Sequence, residues 1–228
     1  MESEGCLLNK TKIEWCDLSW NPITGCDHGC WYCYAKKLAQ RFPKIFPNGF
    51  NPTFHPERLY EPWEYKKPSK IFVCSIADIF ADWTHPDWRD QVLLSILSCP
   101  VKHTFQLLTK QPQNIPVNMK FPDNIWIGCT VTNEFLDETL RNLTFIKMIN
   151  ARIRFASFEP LLGPLPANMS LRGLQWIIIG KLTGSRKVKL DPIWVWDIVK
   201  RAQELGIPVF MKNNLGCPKE LLIQEFPT

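Results

Sequence analysis

The chain has 228 residues, a formal net charge of +5 and a hydrophobic share of 45%. A hydrophobic share of this size is typical of a globular protein with a packed core and excludes an intrinsically disordered chain. The length lies within the range of an α/β barrel. The composition has no break along the chain, so we expect a single domain over residues 1–228.

The cysteines and the apolar segments indicate the compartment. The nine cysteines are odd in number and irregularly spaced, which favours a reducing compartment over a disulfide framework. The N-terminus lacks a basic start followed by an apolar run and therefore does not resemble a secretory signal. The apolar run at residues 176–179 is far too short to span a bilayer. We expect a cytoplasmic protein.

The first predicted elements are a strand around residues 18–23 and a loop that carries three cysteines. Cys26, Cys30 and Cys33 follow the spacing C-x-x-x-C-x-x-C. If the loop closes, three thiolates this close in sequence converge on one point. A four-iron cluster that only carries electrons is normally held by four cysteines, so three leave one iron open for another ligand. A helix is predicted to begin at Trp31 and to run through Arg41.

Two other interpretations of these three cysteines stay open at this point. A zinc site needs a fourth ligand, which His28 or Cys16 could supply. The three thiols could also be inert. Five other cysteines do not form a second motif and are interpreted as buried free thiols. They are Cys16, Cys74, Cys99, Cys129 and Cys217.

Residues 42–70 are rich in proline and aromatic residues. Each proline fixes its own φ angle and biases the preceding residue towards extended conformations. We predict an irregular but ordered insertion that carries a short helix and covers the barrel, with a role as a lid left open.

Short apolar runs alternate with helical stretches from residue 70 onwards. Several runs are almost continuously apolar, as expected for strands that are buried on both faces. The predicted strands are residues 71–76, 104–109, 125–131, 152–158, 176–179 and 207–211. Alternation of this kind predicts parallel βαβ units. With the first strand there are six or seven units, and the predicted fold class is α/β, a partial or complete (β/α) TIM-like barrel.

Three helices are predicted between these strands. The first follows Asp87 and the second follows Asn133, a natural N-cap residue. The third has the clearest ends, with Asp191 as N-cap, Pro192 at the first helical position and Gly206 just past the end. The residues expected on the buried faces are Val92, Leu93, Ile96 and Leu97 for the first helix, Leu136, Leu140 and Leu143 for the second, and Val195, Ile198, Val199, Ala202 and Leu205 for the third.

Polar side chains follow the predicted strands at their carboxyl ends, where (β/α) barrels bind their ligands. Ser75 lies at the end of the second predicted strand and Asp78 follows it, and Thr130 lies at the end of the fourth. Glu159 and Lys212 follow the fifth and the last strand. Structural interpretations are also open: Ser75 and Asp78 could cap a helix, and Glu159 and Lys212 could form a purely structural ion pair.

The cysteine loop, with Tyr32 just before its third cysteine, resembles the cluster signature of radical S-adenosylmethionine (SAM) enzymes. The wider chain resembles a phage and prokaryotic family of radical-SAM-like proteins whose substrate is poorly defined. The matching stretches are residues 12–15, 20–26, 72–80, 103–110 and 158–164. The chain departs from that pattern at Gly180-Lys-Leu-Thr-Gly184, where a Gly-Gly-Glu-Ser-Gly run is usual.

The resemblance implies a partial barrel and a specific chemistry. Cys26, Cys30 and Cys33 would bind three irons of a [4Fe-4S] cluster, and SAM would chelate the fourth. Reductive cleavage of SAM would give a 5′-deoxyadenosyl radical that abstracts hydrogen from a substrate, with a flavodoxin or ferredoxin type of protein as electron donor. The candidate SAM contacts are Tyr32, Tyr34, Ser75, Asp78, Thr130 and Glu159, and the candidate catalytic residues are Glu159 and Lys212.

The substrate class is predicted from composition and from the resemblance. The net positive charge, the aromatic share of 12% and the resemblance to phage-associated proteins favour a nucleic acid or a nucleobase. Two functions of other classes are alternatives: a non-catalytic iron–sulfur protein that transfers electrons or senses redox state, and a zinc-binding nucleic-acid module.

Overall fold

The structure is a computed structural model that describes residues 8–183 and 188–228. The chain divides into two compact units, Met1–Leu108 and Thr109–Thr228. Strands alternate with helices in both units, as the apolar runs predict.

The first unit contains the parallel strands β2, β5 and β6, with β1 antiparallel to β2. Trp20 at the end of β2 pairs with Val73 at the end of β5, so these two neighbouring strands end at the same level. The elements are β1 (Asn9–Lys10), β2 (Leu18–Trp20), β3 (Ile23–Thr24), α1 (Tyr34–Arg41), β4 (Thr53–Phe54), α2 (Glu61–Glu64), β5 (Lys70–Val73), α3 (Pro86–Leu97) and β6 (Thr104–Thr109), whose last residue opens the second unit.

The proline-rich insertion is ordered and carries the short helix that its sequence predicts. Its strand β4 pairs with β3 in an antiparallel ladder, and it continues through a 3₁₀ turn, Pro56–Arg58, into α2. The indole nitrogen of Trp20 donates to the Arg58 carbonyl at 2.8 Å. This bond ties the insertion to the end of β2.

Helix α3 begins one residue before Asp87, at Pro86. His85 is its N-cap, and the imidazole Nδ1 accepts from the Asp87 backbone N–H at 3.2 Å. Of its predicted buried face, Val92, Leu93 and Ile96 are buried, but Leu97 in the last turn is 58% exposed. The expectation for Leu97 was wrong because the apolar stripe leaves the core where the helix ends.

The second unit contains four parallel strands, β7, β8, β9 and β10, each paired with the next. Phe158 pairs with Ile179, which pairs with Met211, so β8, β9 and β10 end at one level. The elements are β7 (Ile125–Thr130), α4 (Leu136–Met148), β8 (Arg154–Phe158), β9 (Trp176–Ile179), α5 (Pro192–Glu204) and β10 (Val209–Met211).

Helix α4 differs from the sequence expectation at its start and on its buried face. Asn133 is not the N-cap, because α4 begins at Leu136 with Phe135 as its N-cap. Leu136 and Leu140 are 56% and 37% exposed, and only Leu143 of the predicted stripe is buried. The buried face instead includes Asn142, whose side-chain amide donates to the Thr130 carbonyl at 3.0 Å. A buried polar residue with a partner is invisible to a search for apolar periodicity.

Helix α5 confirms its sequence signals. The Asp191 carboxylate accepts from the Ile193 backbone N–H at 2.9 Å, Pro192 opens the helix, and Gly206 lies just past the end at φ +65°. Val195, Ile198, Val199 and Ala202 are buried as predicted, whereas Leu205 is only partly buried. Among the described residues no helix combines the length and the apolar character that crossing a bilayer requires.

The cysteines outside the loop fall into two groups. Cys16, Cys74 and Cys129 are buried thiols, as predicted, whereas Cys99 and Cys217 are only partly buried. Burial raises the pKa of the Cys74 thiol to about 12 and raises that of Cys129 further. Both buried thiols are therefore protonated and unreactive at neutral pH.

Glu61 is a buried carboxyl group at the start of α2, with 8% of its surface exposed. Its Oε1 atom has no hydrogen-bond partner within residues 8–183 and 188–228. Burial raises the pKa of Glu61 to about 7; the Arg58 guanidinium opposes this rise, and the carboxylates of Glu57 and Glu64 add to it. The folded protein therefore binds this proton more tightly than the unfolded chain does.

We predict that Glu61→Gln makes the protein less sensitive to alkaline pH. In the native sequence, the stabilisation by protonated Glu61 is complete below the unfolded pKa and is lost as the pH rises through about 7. Allowing for partial solvent screening, the free energy of unfolding should fall by about 1–2 kcal/mol between about pH 5 and about pH 8, and Glu61→Gln should abolish this fall. Urea unfolding at both pH values measures it. Glu204→Gln, an exposed position in α5, is the matched control, and equal pH slopes for Glu61→Gln and the native protein would contradict the prediction.

Candidate functional site

The cysteine loop follows β2 and β3 and is fixed at its first turn by a glycine. Gly25 has φ +84°, and a Cβ atom there would lie 2.2 Å from the Asn51 carbonyl oxygen. No other residue fits without moving the backbone of the insertion. The next residue, Cys26, donates its N–H to the Phe50 carbonyl at 3.1 Å. The start of the cysteine loop therefore packs against the backbone of the insertion.

Cys33 ends the loop and begins α1. It is the N-cap of that helix, and its Sγ accepts from the Lys36 backbone N–H at 3.4 Å. The helix thus begins at Tyr34, three residues later than predicted, after a turn in which the Cys33 N–H donates to the Cys30 carbonyl at 3.1 Å. The Cys33 sulfur is therefore held in place by the first turn of α1.

The three loop thiols are free, partly buried and electrostatically coupled. Burial raises the pKa of Cys26 to about 12, the His28 backbone N–H lowers it, and negative charge on Asp78, Cys30 and Cys33 raises it. Both of the other loop cysteines therefore act electrostatically on Cys26. Bound metal reverses the effect, because its positive charge deprotonates coordinating thiols. The donor set therefore fits an iron–sulfur cluster.

The spacing of these groups is not that of a single bound ion. Within the described residues, no three His, Cys, Asp or Glu side chains converge as the ligands of one metal ion do. In a cluster each thiolate binds a different iron, so its ligands stand further apart. The two candidates for a fourth zinc ligand have other partners: the imidazole of His28 bonds to Asp78, and the Cys16 thiol donates to the Ile13 carbonyl at 3.7 Å.

The loop that follows β5 holds the cysteine loop and the start of α1 through four contacts. His28 Nε2 donates to Asp78 Oδ2 at 2.8 Å, and the Trp83 ring meets the imidazole edge-on at 4.6 Å. The Tyr34 hydroxyl donates to the Ser75 carbonyl at 2.9 Å. The Gly25 N–H donates to the Ile76 carbonyl at 3.2 Å. These bonds are formed between the loops that follow two level, adjacent strand ends.

Ser75 and Asp78 thus lie beside the cysteine loop, as predicted for a ligand site at the strand ends. Neither caps a helix. The Ser75 hydroxyl donates to Asn21 Oδ1 at 3.1 Å, and Asp78 Oδ1 accepts from the Phe80 N–H at 3.0 Å in a local turn. Asp78 is 4% exposed, so its carboxylate is buried and depends on these donors and on His28.

The two candidate tyrosines differ in exposure. Tyr34 is 55% exposed, although its hydroxyl group bonds to the Ser75 carbonyl. Tyr32 is partly buried and meets the Trp31 ring edge-on at 5.3 Å. Both belong to the cysteine loop or to the first turn of α1, so the structure keeps them close to Cys33.

In the second unit, Glu159, Gly180 and Lys212 follow the ends of β8, β9 and β10. Lys212 Nζ donates to Glu159 Oε1 in an ion pair whose side chains are 14% and 27% exposed, respectively. A Cβ atom at Gly180 would lie 3.0 Å from the side-chain carbons of both. Because Gly180 has no side chain, the side chains of Glu159 and Lys212 have room to form their ion pair. Lys181, the residue after Gly180, is held by the Asn214 side chain. The amide oxygen of Asn214 accepts from the Lys181 N–H at 3.1 Å, and the amide nitrogen donates to the Lys181 carbonyl at 2.9 Å.

The other predicted positions of the second unit are structural in their contacts. Thr130 is buried, and its carbonyl accepts from Asn142. Asn133 has φ +57°, and its amide donates to the Gly163 carbonyl at 3.3 Å. Gly180 opens the run that departs from the family pattern, and it lies beside the ion pair described above. Gly184, the last residue of that run, lies outside the described residues.

The sequence interpretation missed two residues of these sites. His28 was treated as a loop residue or zinc ligand, although its partner is a carboxylate 50 residues away. Gly180 was noted only as part of an atypical run. The signal for both was weak, since a polar residue between two cysteines and a glycine after a strand occur in many loops.

The model of a family described as "Protein of unknown function (DUF5131)" matches residues 10–220. The chain belongs to this family. The comparison with curated proteins gave no match.

Two solved structures of spore photoproduct lyase resemble the chain. One is a doubly substituted variant with bound AdoMet and dinucleoside spore photoproduct: the TM-score is 0.55 at 9% identity, and the match covers 89% of this chain and 65% of that one. The other is a complex with dinucleoside spore photoproduct, with a TM-score of 0.37, 12% identity and coverage of 91% and 58%. The chain therefore spans slightly less than two thirds of the length of the first. That likeness confirms the predicted fold class, a partial (β/α) barrel of parallel strand–helix units.

We predict that His28→Ala loosens the cysteine loop. The substitution removes a hydrogen bond to a buried carboxylate and the contact with Trp83, and such a charged bond contributes about 1.5 kcal/mol, equivalent to about a tenfold change in local opening. Alkylation of the loop cysteines in the iron-free protein should become about tenfold faster, as followed by mass spectrometry of the labelled peptides.

His28→Gln, which still offers a donor to Asp78, should recover part of the protection. Labelling of Cys217, outside the loop, reports any general loss of structure. Equal labelling rates of Cys30 in His28→Ala and the native protein would mean that the His28–Asp78 bond does not hold the loop.

We also predict that Lys212→Met destabilises the second unit, because it leaves the Glu159 carboxylate partly buried without its cation. The free energy of unfolding should fall by about 1–3 kcal/mol, and Glu159→Gln in addition should restore part of it. Arg152→Met is the matched control, since Arg152 pairs with Asp123 on the surface and such exposed pairs contribute about 0–1 kcal/mol. Urea unfolding measures all four proteins, and equal losses for Lys212→Met and Arg152→Met would refute a structural role of the pair.

Proposed function

We propose that the chain is a radical SAM enzyme that acts on a nucleic acid or nucleobase. Cys26, Cys30 and Cys33 would hold three irons of a [4Fe-4S] cluster, and SAM would bind at the fourth. The observation that carries this proposal is the set of three partly buried thiols on one loop at a strand end. The loop is held by hydrogen bonds from the Cys26 N–H to the Phe50 carbonyl, from the Cys33 N–H to the Cys30 carbonyl and from the Lys36 N–H to Cys33 Sγ. The fold supports it, because the likeness is to a protein whose structure holds bound AdoMet.

When bound, the cluster and SAM together supply reductive cleavage of SAM to a 5′-deoxyadenosyl radical that abstracts hydrogen from the substrate. The chain's own contribution is to hold and orient the reacting groups and to exclude water. Gly25 and the insertion fix the position of Cys26. The His28–Asp78 bond fixes the middle of the loop, and the start of α1 fixes Cys33. These three supports make the thiols a pre-arranged donor set.

The residues beside the thiols are the proposed SAM contacts. Ser75 and Asp78 lie in the loop that holds the cysteine loop, and Tyr32 and Tyr34 follow the second and third cysteines. Asp78 offers a carboxylate and Ser75 a hydroxyl, which suit the amino group and hydroxyl groups of SAM. Thr130 and Glu159, at strand ends of the second unit, stay predictions from the sequence.

Glu159 and Lys212 are also the proposed catalytic pair. Lys212 Nζ donates a hydrogen bond to Glu159 Oε1, so an ammonium group and a carboxylate group stand together at a strand end. The side chain of Glu159 is the more exposed of the two. Glu159 is therefore the member that can contact a ligand while Lys212 neutralises its charge.

The substrate class is inferred from charge and from the fold. The net charge of +5 suits an anionic partner, and the protein of similar fold holds a dinucleoside spore photoproduct. We therefore place a nucleic acid or nucleobase first. An electron donor of the flavodoxin or ferredoxin type completes the proposal, and the eight described free thiols suit the reducing cytoplasm that it requires.

Anaerobic reconstitution with iron and sulfide tests this function. We expect about four irons per chain, cluster absorbance, and formation of 5′-deoxyadenosine when dithionite and SAM are added. Cys30→Ala should lose the cluster and the product. Cys217→Ala is the matched control, because Cys217 is also partly buried but lies outside the loop.

The outcomes separate the alternatives. Iron and cluster absorbance without cleavage of SAM would favour an electron carrier or redox sensor. Zinc without iron would favour a zinc-binding nucleic-acid module. An equal iron content in Cys30→Ala and Cys217→Ala would overturn the proposed ligand set.

A further inference from the structure

Large apolar residues are exposed on α1 and on both sides of it, at the surface that begins at the cysteine loop. Helix α1 buries only Ala35 and Ala39, both small. Its large apolar residues point outwards together with the residues on either side of the helix. They are Trp31 at 38% exposure, Leu38 at 38%, Phe42 at 40% and Ile45 at 63%. Leu38 lies on α1, and Phe42 and Ile45 directly follow the end of the helix.

The same surface is strongly basic. Lys36, Lys37, Arg41 and Lys44 are all exposed, and none of them forms an ion pair with a described residue. No Asp or Glu occurs between His28 and Pro56, although the chain has 22 acidic residues. We call these four basic residues, with Trp31, Leu38, Phe42 and Ile45, the α1 patch. Its positive charge is not balanced locally.

The α1 patch lies directly beside the proposed cluster. Its helix begins at Cys33, whose sulfur caps the first turn, and Trp31 lies between Cys30 and Cys33 in the sequence. A protein that covers the patch therefore covers the helix that begins at one of the thiol ligands. The cluster must receive an electron from outside the chain, because the proposed chemistry is reductive.

We propose that the α1 patch is the docking site of an acidic one-electron carrier protein, which reduces the cluster. This inference rests on the proposed function. One electron passes from the reduced carrier to the cluster; the carrier is oxidised by one electron, the cluster is reduced by one, and no bond is formed or broken. An apolar centre with a basic rim suits a carrier with an acidic rim, since charge complementarity speeds the encounter and apolar contact holds it.

The apolar residues favour a protein over a nucleic acid at this surface. Leu38 and Ile45 are aliphatic and cannot stack on bases as aromatic side chains do. Phe42 already carries the Arg41 guanidinium over its ring at 5.5 Å. An exposed apolar stripe is a common mark of a protein-binding surface.

The test compares two routes of reduction in the reconstituted protein. Lys37→Glu/Lys44→Glu reverses two charges of the patch, and Lys66→Glu/Lys67→Glu reverses an exposed lysine pair elsewhere in the first unit. SAM cleavage is measured with dithionite, which needs no docking, and with reduced flavodoxin as the acidic carrier. We expect unchanged iron content and an unchanged dithionite rate for both variants. With flavodoxin, the KM for the carrier should rise about tenfold in the patch variant only.

A second variant tests the apolar part. Leu38→Ser/Ile45→Ser should also raise the KM for flavodoxin while leaving the dithionite rate unchanged. Because this variant keeps the charges of the patch, the ratio of its KM to the native KM should be the same at low and at high salt. An unchanged flavodoxin KM in both patch variants would overturn the proposal. So would equal losses with both reductants, or weaker oligonucleotide binding with an unchanged flavodoxin KM, which would assign the patch to the substrate. Failure of the native protein to bind iron would overturn the proposed function itself, and iron analysis distinguishes that result.

Discussion

The candidate site depends on one constraint, the level ends of β2 and β5. Because Trp20 pairs with Val73, the loops that follow these two strands emerge side by side. The cysteine loop follows one and the Ser75–Asp78 loop follows the other. Their contacts, Gly25 to Ile76, His28 to Asp78 and Tyr34 to Ser75, follow from that register. A shift of one residue would turn these side chains to the opposite face of the sheet.

The second unit repeats this use of strand ends with a different chemistry. Three neighbouring strands end at one level, and the residues that follow them are a carboxylate, a glycine and a lysine. Gly180 has no side chain, so Glu159 and Lys212 can meet. In both units the parallel strands provide a rigid edge and the loops provide the functional groups, which is the general division of roles in folds of this kind.

Much of the fold could be predicted from sequence because buried parallel strands and well-capped helices leave local signals. The strands at residues 104–109 and 176–179 and the ends of α5 lie where the sequence placed them. Helix α4 was harder, because its buried face includes Thr139 and Asn142 while Leu136 and Leu140 face outwards. Local periodicity could not reveal this, since the partner of Asn142 lies on a neighbouring strand.

The sequence alone determined the three-cysteine spacing, the alternation of strands and helices, and the positions of Ser75, Asp78, Glu159 and Lys212 after strands. These features are local, so a single stretch of chain contains them. Only the tertiary structure decided that His28 binds Asp78, that Gly180 lies between Glu159 and Lys212, and that α1 turns its large apolar residues outwards. These depend on which segments become neighbours, and sheet register and packing, rather than sequence proximity, set those neighbours.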